Sequence, residues 1–283
     1  MSYTTDLGNA YIIDDRVADE LATQVNDGKF ASGYIERDYS RFEFGFYAPK
    51  FNSPKIPRSK WDDLIKLQED NQSSPWHTFL GNGAPILNQG NKGYCWMYGT
   101  GACIQNRYAA QGIDIPKLSM TYTAALGKNF RDQGGWAGEA LGYIDRFGIP
   151  TQDVCPEGSM DRNLFGREEV KLSAGMHGHV EFLELPSNDF DSMCSVLLDP
   201  YNPRPVTMGL MWWGHLVAGF RVVKIDSRNY GIQGPNSWGD NWGDKGTFVL
   251  TEKKATAYES IAVERVKPRT TAEAKAWYES LAS

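Results

Sequence analysis

The chain reads as an α+β protein of two lobes, one helical and one built from antiparallel strands. The first observation behind this is the order of the local signals. Helical patterns dominate the first half of the main body, from about residue 95 to 147, and strand patterns dominate from about residue 180 onward. The second is size. The 283 residues, 41% of them hydrophobic, are enough for a sizeable core, in one large domain or one with an appendage.

In chain order, Asp14-Asp15 opens a short helix through Val17, Leu21 and Val25 that stops at Gly28. An aromatic stretch follows, from Tyr34 and Tyr39 through Phe42, Phe44, Phe46 and Tyr47 to Phe51. The alternation of Phe42, Phe44 and Phe46 suits a strand or an extended arm. Pro49, Pro54 and Pro57 interrupt regular structure. Ser59 to Asp62 fits a capping box, with Trp61, Leu64, Ile65 and Leu67 on one face of a helix reaching about Asp70. Residues 1–70 therefore form an N-terminal extension, expected as a subdomain packed on the main body. The sharper alternative is an inhibitory, propeptide-like segment lying along a cleft, or an assembly arm.

Residues 71–88 read as a loop. Helices are expected at 95–110, stopped by Gly112, at 120–128, and at 139–147, ended by Gly148 and Pro150, with a tight bend at Gly134-Gly135-Trp136. Strands are expected at 180–185, 206–210, 216–224, 230–233 and 247–250, with a helix at 190–198. Thr270 to Glu273 caps a C-terminal helix at 269–283 through Trp277 and Leu281.

The chemistry gathers at Gln89-Gly-Asn-Lys-Gly-Tyr-Cys-Trp96. A glycine-rich turn delivers Cys95 to a helix N-terminus, where unpaired N–H groups and the macrodipole favour thiolate over thiol. Gln89 lies across the turn, its amide able to aim at the same reacting centre. A thiolate needs a base, and the base an orienter. The candidate bases are His77, His177, His179 and His215. His215 begins an apolar strand after Trp212-Trp213-Gly214, and Asn236-Ser-Trp-Gly-Asp-Asn-Trp-Gly-Asp-Lys-Gly246 follows downstream.

These pieces resemble the papain family of cysteine peptidases. Gln89 to Trp96 resembles the family's Gln-Gly-x-Cys-Gly-Ser-Cys-Trp, Leu118-Ser119 and Gly134-Gly135 its Leu-Ser and Asn-Gly-Gly segments, and Gly214-His215 its histidine turn. Asn236 to Gly246 agrees with its Asn-Ser-Trp-Gly-x-x-Trp-Gly-x-x-Gly run at every fixed position. The similarity covers residues 71–268 and implies a papain-like fold, a left helical lobe and a right lobe of antiparallel sheet or barrel, with the active-site cleft between them. It implies Cys95 as nucleophile, His215 as base, Asn236 as its orienter, and Gln89 with the Cys95 N–H as oxyanion hole. Trp96 and Trp238 would support the site. Gly93, Tyr94, Gly134, Gly135, Trp136, Trp213 and Gly214 would contact substrate.

Departures from the family pattern carry expectations of their own. Lys92 and Asp132 stand where the family has a disulfide, and their opposite charges suggest an ion pair in its place. Tyr94, in the place of a small residue, would narrow the approach. The short link from Pro205-Val206 to His215, filled by Trp212 and Trp213, implies an open pocket flanked by tryptophan.

The expected activity is that of a cysteine peptidase or amide hydrolase working through an acyl-thioester. Two alternatives are a papain-fold structural component, for example of a viral particle, and a side-chain transferase or deamidase using the same triad. The expected partner is a polypeptide substrate, with residues 1–70 available for a larger protein assembly. A net charge of −6 argues against nucleic acid, and no apolar run suits a membrane. No cofactor is expected. His177-Gly178-His179 lacks the companions of a metal site, so no metal is expected either. The scattered Cys95, Cys103, Cys155 and Cys194, and a start without signal-peptide character, suggest free thiols and a cytoplasmic or virion-associated protein.

Overall fold

The computed structural model describes residues 4–41 and 49–281. The expected strand or arm at Phe42, Phe44, Phe46 and Tyr47 lies outside the described residues. Strand β1 (Ile12–Ile13) leads into α1 (Asp15–Asn26), whose start is fixed by the Asp14 carboxylate accepting from Val17 N–H at 2.9 Å. After an extended run come α2 (Trp61–Asn71) and α3 (Pro75–Gly81). The expected capping box at Ser59 is not formed. A turn of 3₁₀ helix precedes α2, and Lys60 takes the cap position without a side-chain bond. Helix α3 falls where a loop was expected. Ser74 and His77 cap each other reciprocally there, with Pro75 in the first turn, a start that the Ser/Thr-x-x-Glu pattern does not reveal.

The helical lobe is built round α4 (Cys95–Ala110), with α5 (Met120–Gly127), α6 (Ala137–Phe147), α7 (Arg162–Phe165) and α8 (Glu168–Met176). Helix α4 is buried on nearly every side. It lies against strand β4 closely enough that a Cβ on Gly99 would come 2.6 Å from the Leu216 side chain. That approach brings Cys95 and His215 into one neighbourhood.

The other lobe carries β2 (Val180–Glu184), α9 (Phe190–Leu197), β3 (Val206–Leu210), β4 (His215–Gly219), β5 (Arg221–Lys224), β6 (Tyr230–Pro235), β7 (Thr247–Thr251), α10 (Glu252–Ala255) and β8 (Ile261–Val266). Helix α11 (Thr271–Leu281) closes the described chain. Thr270 and Glu273 form the reciprocal cap expected of them.

The strands form two four-stranded sheets, ordered β1-β7-β6-β5 and β2-β8-β3-β4, and no closed barrel. All named pairings are antiparallel except β1 with β7. The single strand expected at 216–224 is two strands. Phe220 turns the corner, and the chain passes from pairing with β3 in one sheet to pairing with β6 in the other. A strand that changes sheets looks continuous in sequence here because Phe220, Val222 and Val223 carry the apolar run of Leu216–Ala218 past the bend.

Residues before 71 enter the core of the strand lobe. Ile13, Leu21, Trp61 and Ile65 are at most 1% exposed and pack in one cluster with Phe190, Met208, Leu210, Val222 and Phe248. Arg58 joins Asp191 and Glu252 at 2.5 and 2.7 Å, with its guanidinium over the Trp61 ring. No helix among the described residues is long and apolar enough to cross a membrane.

Candidate active site

Cys95 is the first residue of α4, delivered by a turn in which Gly90 has φ +60° and donates to the Asn88 side chain. Three bonds anchor this turn to the loop at 131–133. Gly93 N–H donates to Asp132 Oδ1 at 2.7 Å, the Tyr94 hydroxyl to Arg131 O at 2.9 Å, and the Trp96 indole to Gln133 O at 3.3 Å. The expected ion pair between Lys92 and Asp132 does not appear among the described residues; the Asp132 carboxylate serves a backbone N–H instead. Tyr94 is wholly buried and turned toward the helical lobe, so it offers no surface with which to narrow the approach.

Gln89 is fixed from the strand lobe. Its N–H donates to Ser237 O, and the Ser237 hydroxyl donates to its Oε1 at 2.6 Å. The amide nitrogen is thereby turned toward Lys92 O at 2.7 Å and Ala31 O at 3.2 Å.

His215 opens β4 after Gly214, which has φ +61°. Its Nε2 meets Asn236 Oδ1 at 2.8 Å, and the same oxygen accepts from Ser237 N–H at 2.7 Å. The ring lies 4.5 Å from Trp238 and 4.9 Å from Trp213. Trp213 belongs to a cluster with Trp238, Trp242 and Phe248 and is nearly buried, so it packs behind the histidine rather than flanking an open pocket. Trp212 stacks on it and bonds to Lys254 O. His215 Nδ1 is buried with no hydrogen-bond partner among the described residues, so no such bond joins it to the Cys95 sulfur.

Burial governs the charges here. It pushes the Cys95 thiol up to about 12, against the opposing effect of backbone N–H groups of Leu216, Gly33 and Trp96. It holds His215 down at about 4, the Asn236 bond acting the other way. The helix start alone favours thiolate, but with the site covered desolvation prevails. Burial thus biases each of the two groups toward its neutral form.

The cover is residues 30–35, which the sequence signals only as small residues, Ala31-Ser32-Gly33, set between Phe30 and Tyr34. Phe30 stacks on Trp238 at 4.5 Å and 9°. Ala31 O accepts from the Trp238 indole at 2.8 Å as well as from Gln89. Gly33 and Tyr34 N–H both donate to Gly214 O, at 3.2 and 2.8 Å. Gly135 N–H donates to Gly33 O at 2.9 Å and Gly135 O accepts from Ile35 N–H at 3.1 Å, a parallel pairing. A side chain at position 33 is excluded, since its Cβ would lie 2.0 Å from Gly93 O.

Thus Gln89, Cys95, Trp238, Gly93, Gly134, Gly135 and Gly214 meet one strap, and His215, bonded to Asn236, lies against Trp238. Behind Gly135, Trp96 and Trp136 are buried. A buried ion pair, Lys128 with Glu139 at 2.6 Å, backs them, and Tyr143 also donates to Glu139. Elsewhere, His177 Nδ1 lies 2.9 Å from the Tyr108 hydroxyl, and all four cysteines are free and buried.

No protein-family profile matches the chain. It is similar in sequence to bovine pro-cathepsin H, 24% identical over an alignment 203 residues long that covers 60% of this chain and 56% of that one. It is likewise similar to chymopapain of Carica papaya, 23% identical over an alignment 213 residues long that covers 68% of this chain and 58% of that one. The similarity thus spans little more than half the length of these relatives. In structure it is similar to procathepsin L 3 of the Tenebrio molitor larval midgut, with a TM-score of 0.54 at 16% identity, covering 87% of each chain. It is also similar to xylellain, a cysteine protease of Xylella fastidiosa, with a TM-score of 0.54 at 14% identity, covering 84% of this chain and 97% of that one. These relatives and neighbours are papain-like cysteine proteases. The resemblance drawn from the motifs stands, and the fold is papain-like.

Proposed function

We propose that this papain-like chain is a cysteine peptidase held latent by its own residues 30–35, with residues 71–268 as the peptidase domain. The observation that carries the reading is the His215–Asn236 bond, which engages Nε2 and leaves Nδ1 for a thiol at the start of the neighbouring helix α4. In this reading Asn236 Oδ1 accepts the Nε2–H proton and fixes the tautomer, so Nδ1 is the basic nitrogen. Once the strap moves aside, Nδ1 takes the Cys95 proton and the sulfur attacks a substrate carbonyl carbon. The carbonyl oxygen becomes an oxyanion, held by the Gln89 amide and the Cys95 N–H. The C–N bond breaks as His215 returns its proton to the leaving amine, and a thioester remains. Water, deprotonated by His215, then releases the acid and restores the thiol. The strap answers to this machinery: Ala31 O already occupies the Gln89 donor.

The test is Cys95→Ala and His215→Ala in a chain whose strap has been opened. Each is expected to lower peptide hydrolysis by at least about 10³-fold with the circular dichroism spectrum unchanged. Sustained turnover by Cys95→Ala would refute the mechanism. A second reading, a papain-fold structural component, draws support from the filled cleft. It is favoured if Cys95 stays unreactive after the strap is opened.

A further inference from the structure

A separate cavity of about 740 Å³ lies in the helical lobe, and none of its lining residues belongs to the strap or to the residues the strap meets. That is the size of a small-molecule site. Its wall is drawn from α5, α6, α7, α8 and α11. The α11 residues, Trp277, Tyr278 and Leu281, fall beyond the stretch 71–268 on which the family resemblance rests, so part of the wall lies outside that resemblance.

The wall is largely aromatic. The buried Phe165 ring packs against Tyr122, with ring centres 4.7 Å apart, and against Phe130, at 5.4 Å. Trp277 covers Gly175, where a Cβ would stand 2.9 Å from the indole. Phe130 is held in a sterically disfavoured backbone. It and Asn129 are successive non-glycine residues in the left-handed region, with φ of +62° and +49°. Leu281 adds an apolar side chain that is 51% exposed.

The charged residues of the wall are Arg146, Arg162, Lys171 and Asp145, three cations to one acid, on a chain whose net charge is −6. The cations rest on rings. The Arg162 guanidinium is 4.0 Å from the centre of Phe130 and that of Arg146 is 5.3 Å from Phe147. Lys171 Nζ is 5.1 Å from the Tyr278 ring and donates to its hydroxyl at 2.9 Å. Arg162 and Lys171 have no carboxylate partner among the described residues. A ring face holds a cation without neutralising it, so an anionic group in the cavity meets charge that the protein leaves unmatched.

We infer that this cavity binds a small organic acid, an apolar body carrying one anionic group, with the body among the rings and the anionic group toward Arg162 and Lys171. Neither Cys95 nor His215 takes part, so the inference stands apart from the peptidase reading.

The probe is anilinonaphthalene sulfonate, an aromatic anion, set against phenylnaphthylamine, the same rings without the sulfonate. Each is titrated into the full-length chain and followed by its own fluorescence. The anion is expected to saturate at one per chain, with a Kd at least about tenfold lower than that of the neutral probe. Arg162→Gln with Lys171→Gln is expected to raise the Kd of the anion by about tenfold or more and to leave that of the neutral probe within about twofold. Arg162→Gln alone alters only an exposed side chain, and is expected to raise the Kd of the anion by at least about threefold with an unchanged circular dichroism spectrum. Arg16→Gln with Lys66→Gln makes the same change of net charge at exposed residues outside the cavity, and is expected to leave both affinities as they were. Equal affinity for the two probes overturns the assignment. So does an anion Kd that is unmoved by the Arg162 and Lys171 substitutions, or moved as far by the Arg16 and Lys66 pair.

Discussion

The Cys95 thiol is subject to two opposed influences. Position at the start of α4 favours the thiolate, and burial under Gly33 favours the thiol, strongly enough to hold it near 12. In the intact chain Cys95 is therefore expected to react with iodoacetamide as slowly as Cys103 and Cys194, which are also buried. After a cut in the strap it should outpace both by at least about tenfold, read by peptide mass spectrometry. Fast labelling of Cys95 in the intact chain would show that the strap does not cover it. A second prediction concerns the anchoring of the turn before Cys95. The Asp132 carboxylate bonds to Gly93 N–H, while Lys92 has no part in that contact. Asp132→Ala is expected to cost about 1 kcal/mol in urea denaturation, and Lys92→Ala less than about 0.5 kcal/mol. Equal losses would restore the ion pair that the charges alone suggested.

Among the elements, β1 and α1 decide what happens to the extension. β1 is hydrogen-bonded to β7, and Ile13 and Leu21 are in the core of the strand lobe. Trp61 and Ile65 of α2 enter the same cluster from the far side of the strap. The strap is thus tethered at both ends by buried elements. Cleavage between Asp27 and Lys29, an exposed turn, is expected to leave residues 1–27 bound to the rest of the molecule. The check is co-elution of both fragments in native size-exclusion chromatography, with separation only in denaturant. Release of the short fragment under native conditions would show that α1 is held weakly. Leu21→Ala should then cost far less than the roughly 2–5 kcal/mol of a buried leucine.

At the scale of the whole molecule, two buried groups set opposing dependences on pH. His215 titrates near 4 in the folded chain against an ordinary 6.5. Between those values the unfolded chain binds a proton that the folded one refuses, so acidification through this window destabilises, by up to about 3 kcal/mol. Glu259 is raised from 4.5 to about 7 by burial, so its contribution is full below 4.5 and is lost as pH rises through 7, again by about 3 kcal/mol. Melting temperatures from pH 4 to 8 should therefore improve on the acid side in His215→Gln and on the neutral side in Glu259→Gln, relative to the unaltered chain. A flat difference in either variant would remove that group from the account. Much of this molecule was legible before its tertiary structure. The start of α4 at Cys95, the strand beginning at His215, the cap at Thr270 and the order of helices and strands all follow from local signals: a glycine turn, apolar alternation, a reciprocal cap. What stayed hidden has no side-chain signature. The bend at Phe220 separates two strands that look like one because Val222 and Val223 prolong the apolar run. The strap is held largely by backbone N–H and C=O groups of Gly33, Gly135 and Gly214, which any sequence possesses. Sequence by itself determined which residues are proposed to carry the chemistry and which local element presents each of them. Tertiary structure alone decided that α4 meets β4 across Gly99, that Asn236 reaches His215, and that the chain's own residues 30–35 lie across the result, because each of these is a pairing between segments far apart in the chain.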